Sequence, residues 1–341
     1  MITHDDIQKI DKKHMHEIYD NWNILAAENL ESPIDKLELK NIDHIVFAGM
    51  GGSGTIGDVI SSILSKTKMH STVTKGYLLP KNIDENTLVV ATSISGNTEE
   101  TLSIAQSSLK SNAKFVSFSS GGLLEKFCNN NNLINYSIRI NHSPRASFIG
   151  YIFSILNALE EIIPITNNEK NESISKLNDL QKLINTENLS NTNPSLNLAY
   201  WIKNIPIVYY PWGLQSAAIR FKNSLQENSK NHILVEDIIE ASHNGIVAWE
   251  KNSNIQPILL QGHDDNIKTI ERWKIIKKVF DEKNINYYEV FSGKGNILSK
   301  LVCLIYMFDF SSIYHSVINE IDPSPVNPID FIKTHLSFDT I

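Results

Sequence analysis

From Asp43 onward, short and wholly apolar runs alternate with longer amphipathic ones. Ile45–Gly49 (IVFAG), Thr87–Thr92 (TLVVAT), Lys114–Ser119 (KFVSFS) and Ile134–Ile140 read as strands. Ser53–Leu64, Asn97–Leu109 and Leu123–Asn129 read as the helices between them, and Phe148–Ile163 as a long buried helix. Strands that are apolar throughout are covered on both faces, and their alternation with helices predicts a parallel sheet in an α/β fold.

The segment 165–195 is polar but carries a helical period in Ile174, Leu177, Leu180, Leu183 and Ile184, which predicts a helix linking two halves. The alternation then repeats. Ile205–Tyr210, His232–Val235, Gln256–Gln261 and Tyr287–Phe291 read as strands; Leu214–Gln226, Ile267–Glu282, Ile297–Tyr314 and a final Pro328–Leu336 read as helices. The expected architecture is two tandem doubly wound parallel sheets of the flavodoxin-like three-layer kind. The expected boundaries are 1–165 for the first domain, 166–195 for the helical linker and 196–341 for the second.

A length of 341 residues suits two domains at about 150 residues each, and 41% apolar composition supplies two cores. The 31 basic residues are outnumbered by 38 acidic ones, a net charge of −7, which argues against nucleic acid as a partner. Only Cys128 and Cys303 occur, far apart, so neither a disulfide framework nor a cysteine zinc site is expected. The N-terminus is charged, and no apolar stretch reaches the about 18 residues of a membrane span. A cytoplasmic protein that binds no membrane is therefore expected.

Two loops follow the first two predicted strands. Gly49-Met50-Gly51-Gly52-Ser53-Gly54 satisfies G-x-G-x-x-G. The acidic residue a dinucleotide ribose requires about 20 positions later is replaced by Lys66, Lys68, Met69 and His70. Ser93-Ile94-Ser95-Gly96-Asn97-Thr98 brings three hydroxyls and a glycine to the start of a helix, with no lysine of the nucleotide-triphosphate loop. Capping that helix uses one hydroxyl, not three. Both loops fall at the carboxyl ends of parallel strands, and together they predict one crevice for a small phosphorylated molecule.

GMGGSG followed by SISGNTEE resembles the sugar isomerase (SIS) domain, whose Ser/Thr loop holds a sugar phosphate. Further segments occur in matching order: Pro144-Arg145-Ala146, the helix Arg220-x-Lys222 through Glu227 and Lys230, His243-Asn244 before an aliphatic run and Trp249, and Asp322-Pro323-Ser324-Pro325-Val326 with Lys333. From about Asp43 to Leu336 the chain is similar to the bifunctional phosphoglucose/phosphomannose isomerase family.

That resemblance implies a metal-free aldose–ketose isomerase. It would interconvert glucose-6-phosphate, and mannose-6-phosphate, with fructose-6-phosphate through a cis-enediol, without a cofactor. Ser93, Ser95 and Thr98 would hold the phosphate with Ser53 nearby. Gly51, Gly52 and Arg145 would border the reacting carbons, Glu227 would move the proton between C2 and C1, and His243 and Lys333 would assist ring opening. The family expectation is a homodimer with His243 donated across the interface.

The chemistry asks for the same residue types: a group near neutral pKa for ring opening, one carboxylate at C1 and C2, and fixed cation or N–H dipoles for the developing oxyanion. No metal site is expected, since His14/His16 and His263/Asp264/Asp265 lack a third ligand at a usable spacing. The chain departs from the family at Gln226, Gly245 and Ala248. Its loops Trp212-Gly213-Leu214 and Gln261-Gly262-His263 lack the hydroxyl cradle, so no second phosphate is expected there. Another phosphosugar isomerase and a non-catalytic sugar-phosphate sensor remain the alternatives.

Overall fold

The computed structural model describes residues 1–336. In chain order the elements are α1 (His4–Ile10), α2 (Met15–Asp20), α3 (Trp22–Glu31), β1 (His44–Ala48), α4 (Gly51–Leu64), β2 (His70–Thr74), β3 (Thr87–Ser93), α5 (Glu99–Ser108), β4 (Lys114–Ser119), α6 (Gly122–Asn130), β5 (Ile134–Ser137) and α7 (Phe148–Ala158). There follow α8 (Asn167–Ile184), α9 (Pro194–Trp201), β6 (Ile205–Tyr210), α10 (Gln215–Ser229), β7 (Leu234–Asp237), α11 (Ile238–Ala241), a 3-10 helix (Gly245–Glu250), β8 (Ile255–Gln261), α12 (Ile267–Glu282), β9 (Tyr288–Phe291), α13 (Ile297–Ile318) and α14 (Asn327–His335).

One compact unit comprises 21–168 together with the described residues from 326 on. Its five-stranded sheet has the order β2-β1-β3-β4-β5, every pairing parallel. That is the flavodoxin-like order, whose direction of winding reverses between β1 and β3. Side chains alternate across the sheet: Phe47 faces α4, where Gly57 leaves room for it, while Val46, Ala48 and Val89 pack with Ile104 of α5. α4 packs with α7, and α5 with α6. β2 escaped the sequence reading because it is a half-exposed edge strand, His70-Ser71-Thr72-Val73-Thr74, without an apolar run.

The other unit comprises 1–20 and 169–325. Its four strands follow β7-β6-β8-β9, again all parallel. Ile207, Tyr209 and Leu259 pack with Trp249, Trp273, Ile276 and Phe280. α10, α9 and α13 pack together, with the Phe221 and Phe308 rings stacked at 4.4 Å. α13 is long and apolar enough to cross a membrane, but most of it is buried in this unit as a core helix.

This grouping differs from a division into 1–165, 166–195 and 196–341. α1 and α2 bury Ile7, Met15 and Tyr19 and pack on α13, and the Tyr306 hydroxyl donates to the Tyr19 carbonyl at 2.6 Å. α8 is more than a connector, since Ser173 bonds Ser299 at 3.0 Å and Asn296 donates to Glu172 at 2.8 Å. Residues 337–341 of the expected second domain lie outside the described residues.

Candidate active site

The two glycine and hydroxyl loops leave β1 and β3, the adjacent strands at which the sheet's winding reverses. This is where an open α/β sheet parts its helices to opposite faces and forms a crevice. Close packing there depends on glycine: a Cβ on Gly49 would lie 2.9 Å from the Thr92 carbonyl oxygen. Gly51 takes φ +54° with open space beyond its Cα, so backbone is presented without a side chain.

The Ile94 N–H donates to Ser53 Oγ at 3.2 Å and ties the two loops together. Ser93 Oγ and Thr98 Oγ1 are 2.8 Å apart, and the Asn97 N–H donates to Ser95 Oγ at 3.4 Å. Thr98 is the N-cap of α5, yet its side chain makes no capping hydrogen bond; neither does that of Met50 at α4. Ser53 and Ser95 each act as acceptors in these bonds, and the Ser93/Thr98 pair consumes one of its two protons. Hydroxyl donors therefore remain beside two helix N-termini without side-chain caps, an arrangement suited to a phosphate dianion.

A third loop, unassigned in the sequence reading, braces this cradle. Ser120 Oγ donates to the Ile94 carbonyl at 2.6 Å, the Leu124 N–H to the Gly96 carbonyl at 2.9 Å, and the Leu123 N–H to Asn97 Oδ1 at 3.0 Å. Gly96, at φ +70°, has no room for a side chain, because its Cβ would fall 1.8 Å from the Gly121 oxygen. The signal was present in Ser120-Gly121-Gly122 directly after the strand that ends at Ser119.

Arg145 is 5% exposed, whereas an arginine following proline in a loop is ordinarily solvated. Its turn is fixed by Ser147 Oγ, which donates to the Ser143 carbonyl at 2.9 Å, and by the Trp22 indole, which donates to the Ala146 carbonyl at 2.8 Å. Lys333 lies on α14, none of whose residues is buried. It makes no hydrogen bond or ion pair among the described residues.

Glu227 is half-buried in the last turn of α10, in the other unit. The helix continues past Gln226 to Ser229 and closes on Lys230 in left-handed conformation, φ 57°. A carboxylate so close to a helix C-terminus opposes the macrodipole. Lys230 offsets it, its ammonium donating to the Glu227 carbonyl at 2.7 Å and to the Asp322 carbonyl at 3.2 Å. The Asp322-Pro323-Ser324 turn is thereby anchored to the helix end that carries Glu227.

Two turns earlier, Arg220 Nη2 meets Asp309 Oδ2 of α13 at 2.6 Å, Nε contacts both oxygens at 3.1 Å, and Ser224 Oγ also donates to this carboxylate. Burial works against the Arg220 charge, but Asp309 outweighs it and holds the guanidinium protonated beyond its ordinary range. Asn228 donates to Ser312 Oγ at 2.8 Å. α10 is therefore bonded to α13 on both sides of Glu227 in sequence.

His243 is exposed in the turn between α11 and the 3-10 helix, where its N–H donates to the Glu240 carbonyl at 2.9 Å. Gly245 lets the Glu236 carboxylate approach closely, since a Cβ there would lie 2.6 Å from it and the glutamate side chain would have to swing aside. Burial, then Glu240 and Asp237, push the Glu236 carboxyl above its usual range. At the second sheet's equivalent crevice, Asp265 accepts from the Gly262 N–H and from the Trp273 indole, each at 3.0 Å. A carboxylate stands where a phosphate cradle would need donors.

The structure thus brings Gly51, Ser53, Ser93, Ser95 and Thr98 together in one unit, where Gly52 lies in the first turn of α4 between Gly51 and Ser53, and where Arg145 and Lys333 also belong. Glu227 and His243 belong to the other. Residues 38–160 match the SIS domain model, and 191–336 match the bacterial phospho-glucose isomerase C-terminal SIS domain model. A bifunctional phosphoglucose/phosphomannose isomerase from Caldicellulosiruptor bescii is 31% identical over 312 residues, covering 88% of this chain and 91% of the relative. This chain belongs to the bifunctional phosphoglucose/phosphomannose isomerase family. The family also brings into view a D-glucosamine-6-phosphate 4-epimerase from Sulfolobus acidocaldarius, 26% identical over 72% of this chain and 77% of its own length. A glucose-6-phosphate isomerase like protein from Thermus thermophilus shares the fold, with TM-score 0.65, 13% identity and coverage of 98% and 99% of the two chains. The expected pair of parallel-sheet SIS domains is borne out.

Proposed function

We propose that this isomerase interconverts glucose-6-phosphate and mannose-6-phosphate with fructose-6-phosphate through a common cis-enediol. Supporting the reading is the hydroxyl cradle of Ser53, Ser93, Ser95 and Thr98 between the two helix N-termini, in a chain of this family. The phosphate would rest there and fix the sugar's register. His243, with Lys333, would move the proton that opens the ring. Glu227 would then take the proton from C2 and return it to C1, while Arg145 and the amides of Gly51 and Gly52 hold the charge on the enediolate oxygen. Aldoses epimeric at C2 share that enediol, so one base serves both.

Glu227→Gln tests the assignment. General acid–base help is worth about 10² to 10⁴ in rate, so kcat should fall by about that much while fructose-6-phosphate binding persists. Turnover at the wild-type rate would remove Glu227 from the mechanism. We assign the working form as a homodimer in which each His243 serves the partner's site. Glu227→Gln and His243→Ala chains, each inactive alone, should then recover activity when unfolded and refolded together, because a mixed dimer contains one intact site.

A second reading, a different phosphosugar substrate, draws on Gln226 and Gly245, the departures beside Glu227 and His243. Assays with glucosamine-6-phosphate and pentose phosphates separate the two. Turnover of those, with none of fructose-6-phosphate, would favour the second.

A further inference from the structure

The geometry points to a transition-metal site at the joint between α1 and α2, built by His14, His16 and Glu17. One donor atom from each residue lies within 4.8 Å of the others. His14 Nδ1 stands 3.2 Å from Glu17 Oε1, and ligands on a tetrahedral ion with bonds of about 2.0–2.1 Å are separated by about 3.3 Å. The two imidazole centroids are 6.0 Å apart. Sequence spacing concealed the third ligand, because His14 takes a left-handed conformation, φ 55°, in the turn that brings it to Glu17.

His16 is held differently from its two neighbours. It is 1% exposed, and its Nδ1 lies 2.8 Å from Oδ2 of the wholly buried Asp11, which also accepts the His16 backbone N–H at 2.8 Å. With the Nδ1 proton given to Asp11, Nε2 carries the lone pair. The Gln8 amide nitrogen stands 3.3 Å from it, as a donor that an ion would displace. A carboxylate behind an imidazole fixes tautomer and ring orientation and raises the basicity of the ligating nitrogen, the support that metal-binding histidines regularly have.

Two imidazoles and one carboxylate suit Zn²⁺, Co²⁺, Ni²⁺ or Cu²⁺, and disfavour Ca²⁺ and Mg²⁺, which take oxygen ligands. The side chains of His14 and Glu17 are 50% and 57% exposed, so an ion enters from solvent and water completes its coordination. None of the three residues is assigned to the sugar chemistry. His14 directly precedes α2, and His16 and Glu17 lie in its first turn, so the ion would tie the turn to the start of that helix.

The test uses the full chain, stripped with a chelator and titrated with Zn²⁺ against a competing chromogenic chelator, with bound metal counted by mass spectrometry. One equivalent per chain and a rise in Tm are expected, with no response to Ca²⁺ or Mg²⁺. His14→Ala and Glu17→Gln, both at exposed positions, should each weaken binding by about tenfold or more. Asp11→Asn should weaken it about 10- to 100-fold. No stoichiometric binding at micromolar Zn²⁺, or unchanged binding in the folded double variant His14→Ala/Glu17→Gln, would overturn the site.

Discussion

Removing the carboxylate of Asp309 would take from the Arg220 guanidinium, 1% exposed in the core of its unit, the acidic group it meets at 2.6 Å. Three Arg220 contacts and the Ser224 hydroxyl converge on this one group. Breaking a buried pair by deleting one partner costs about 3–5 kcal/mol, because the survivor stays desolvated. Against the about 5–15 kcal/mol that ordinarily holds a domain, Asp309→Ala should consume a large share of the unit's stability. Urea unfolding followed by tryptophan fluorescence reports it directly, since Trp201, Trp212, Trp249 and Trp273 all lie in this unit. Replacing both partners by apolar residues, Arg220→Met with Asp309→Leu, removes the buried charge itself and should recover most of the loss. A single variant within about 1 kcal/mol of wild type, or a double variant as unstable as the two singles summed, would refute the reasoning.

Ser93→Ala and Thr98→Ala should each raise KM for fructose-6-phosphate about tenfold or more with smaller effects on kcat, as a hydrogen bond to a charged group is worth about 1.5–3 kcal/mol. Equal KM values in steady-state assays would contradict the cradle. Gly96→Ala should displace the third loop and abolish phosphosugar binding measured by calorimetry, since its Cβ cannot coexist with the Gly121 oxygen. Burial, then the nearby Lys203 charge, push His315 down to about 4 from 6.5, although its hydrogen bond with the Ile202 backbone opposes this. The unfolded chain therefore binds the extra proton first, so this contribution is complete above pH 6.5 and is lost as pH falls toward 4. The shift corresponds to an upper bound of about 3 kcal/mol, and His315→Gln should flatten the pH dependence of the urea midpoint across that window.

The sequence by itself determined the two parallel sheets, because strands buried on both faces must be apolar throughout, and that pattern survives without tertiary information. It also brought out a Gly-rich turn and a cluster of hydroxyls at the carboxyl ends of two parallel strands, because both are local runs of residue types. Edge strand β2 stayed hidden since one exposed side frees its residues from the apolar requirement. Only the tertiary structure decided that α1 and α2 belong with α13, that Arg145 is buried, and that Arg220 spends its charge on Asp309 inside the core. It also decided that Thr98 leaves the start of α5 without a side-chain cap, and that Glu17 completes a cluster with two histidines. Each of these depends on which groups meet at distances of a few ångströms, and a linear pattern carries apolar periodicity but not partners.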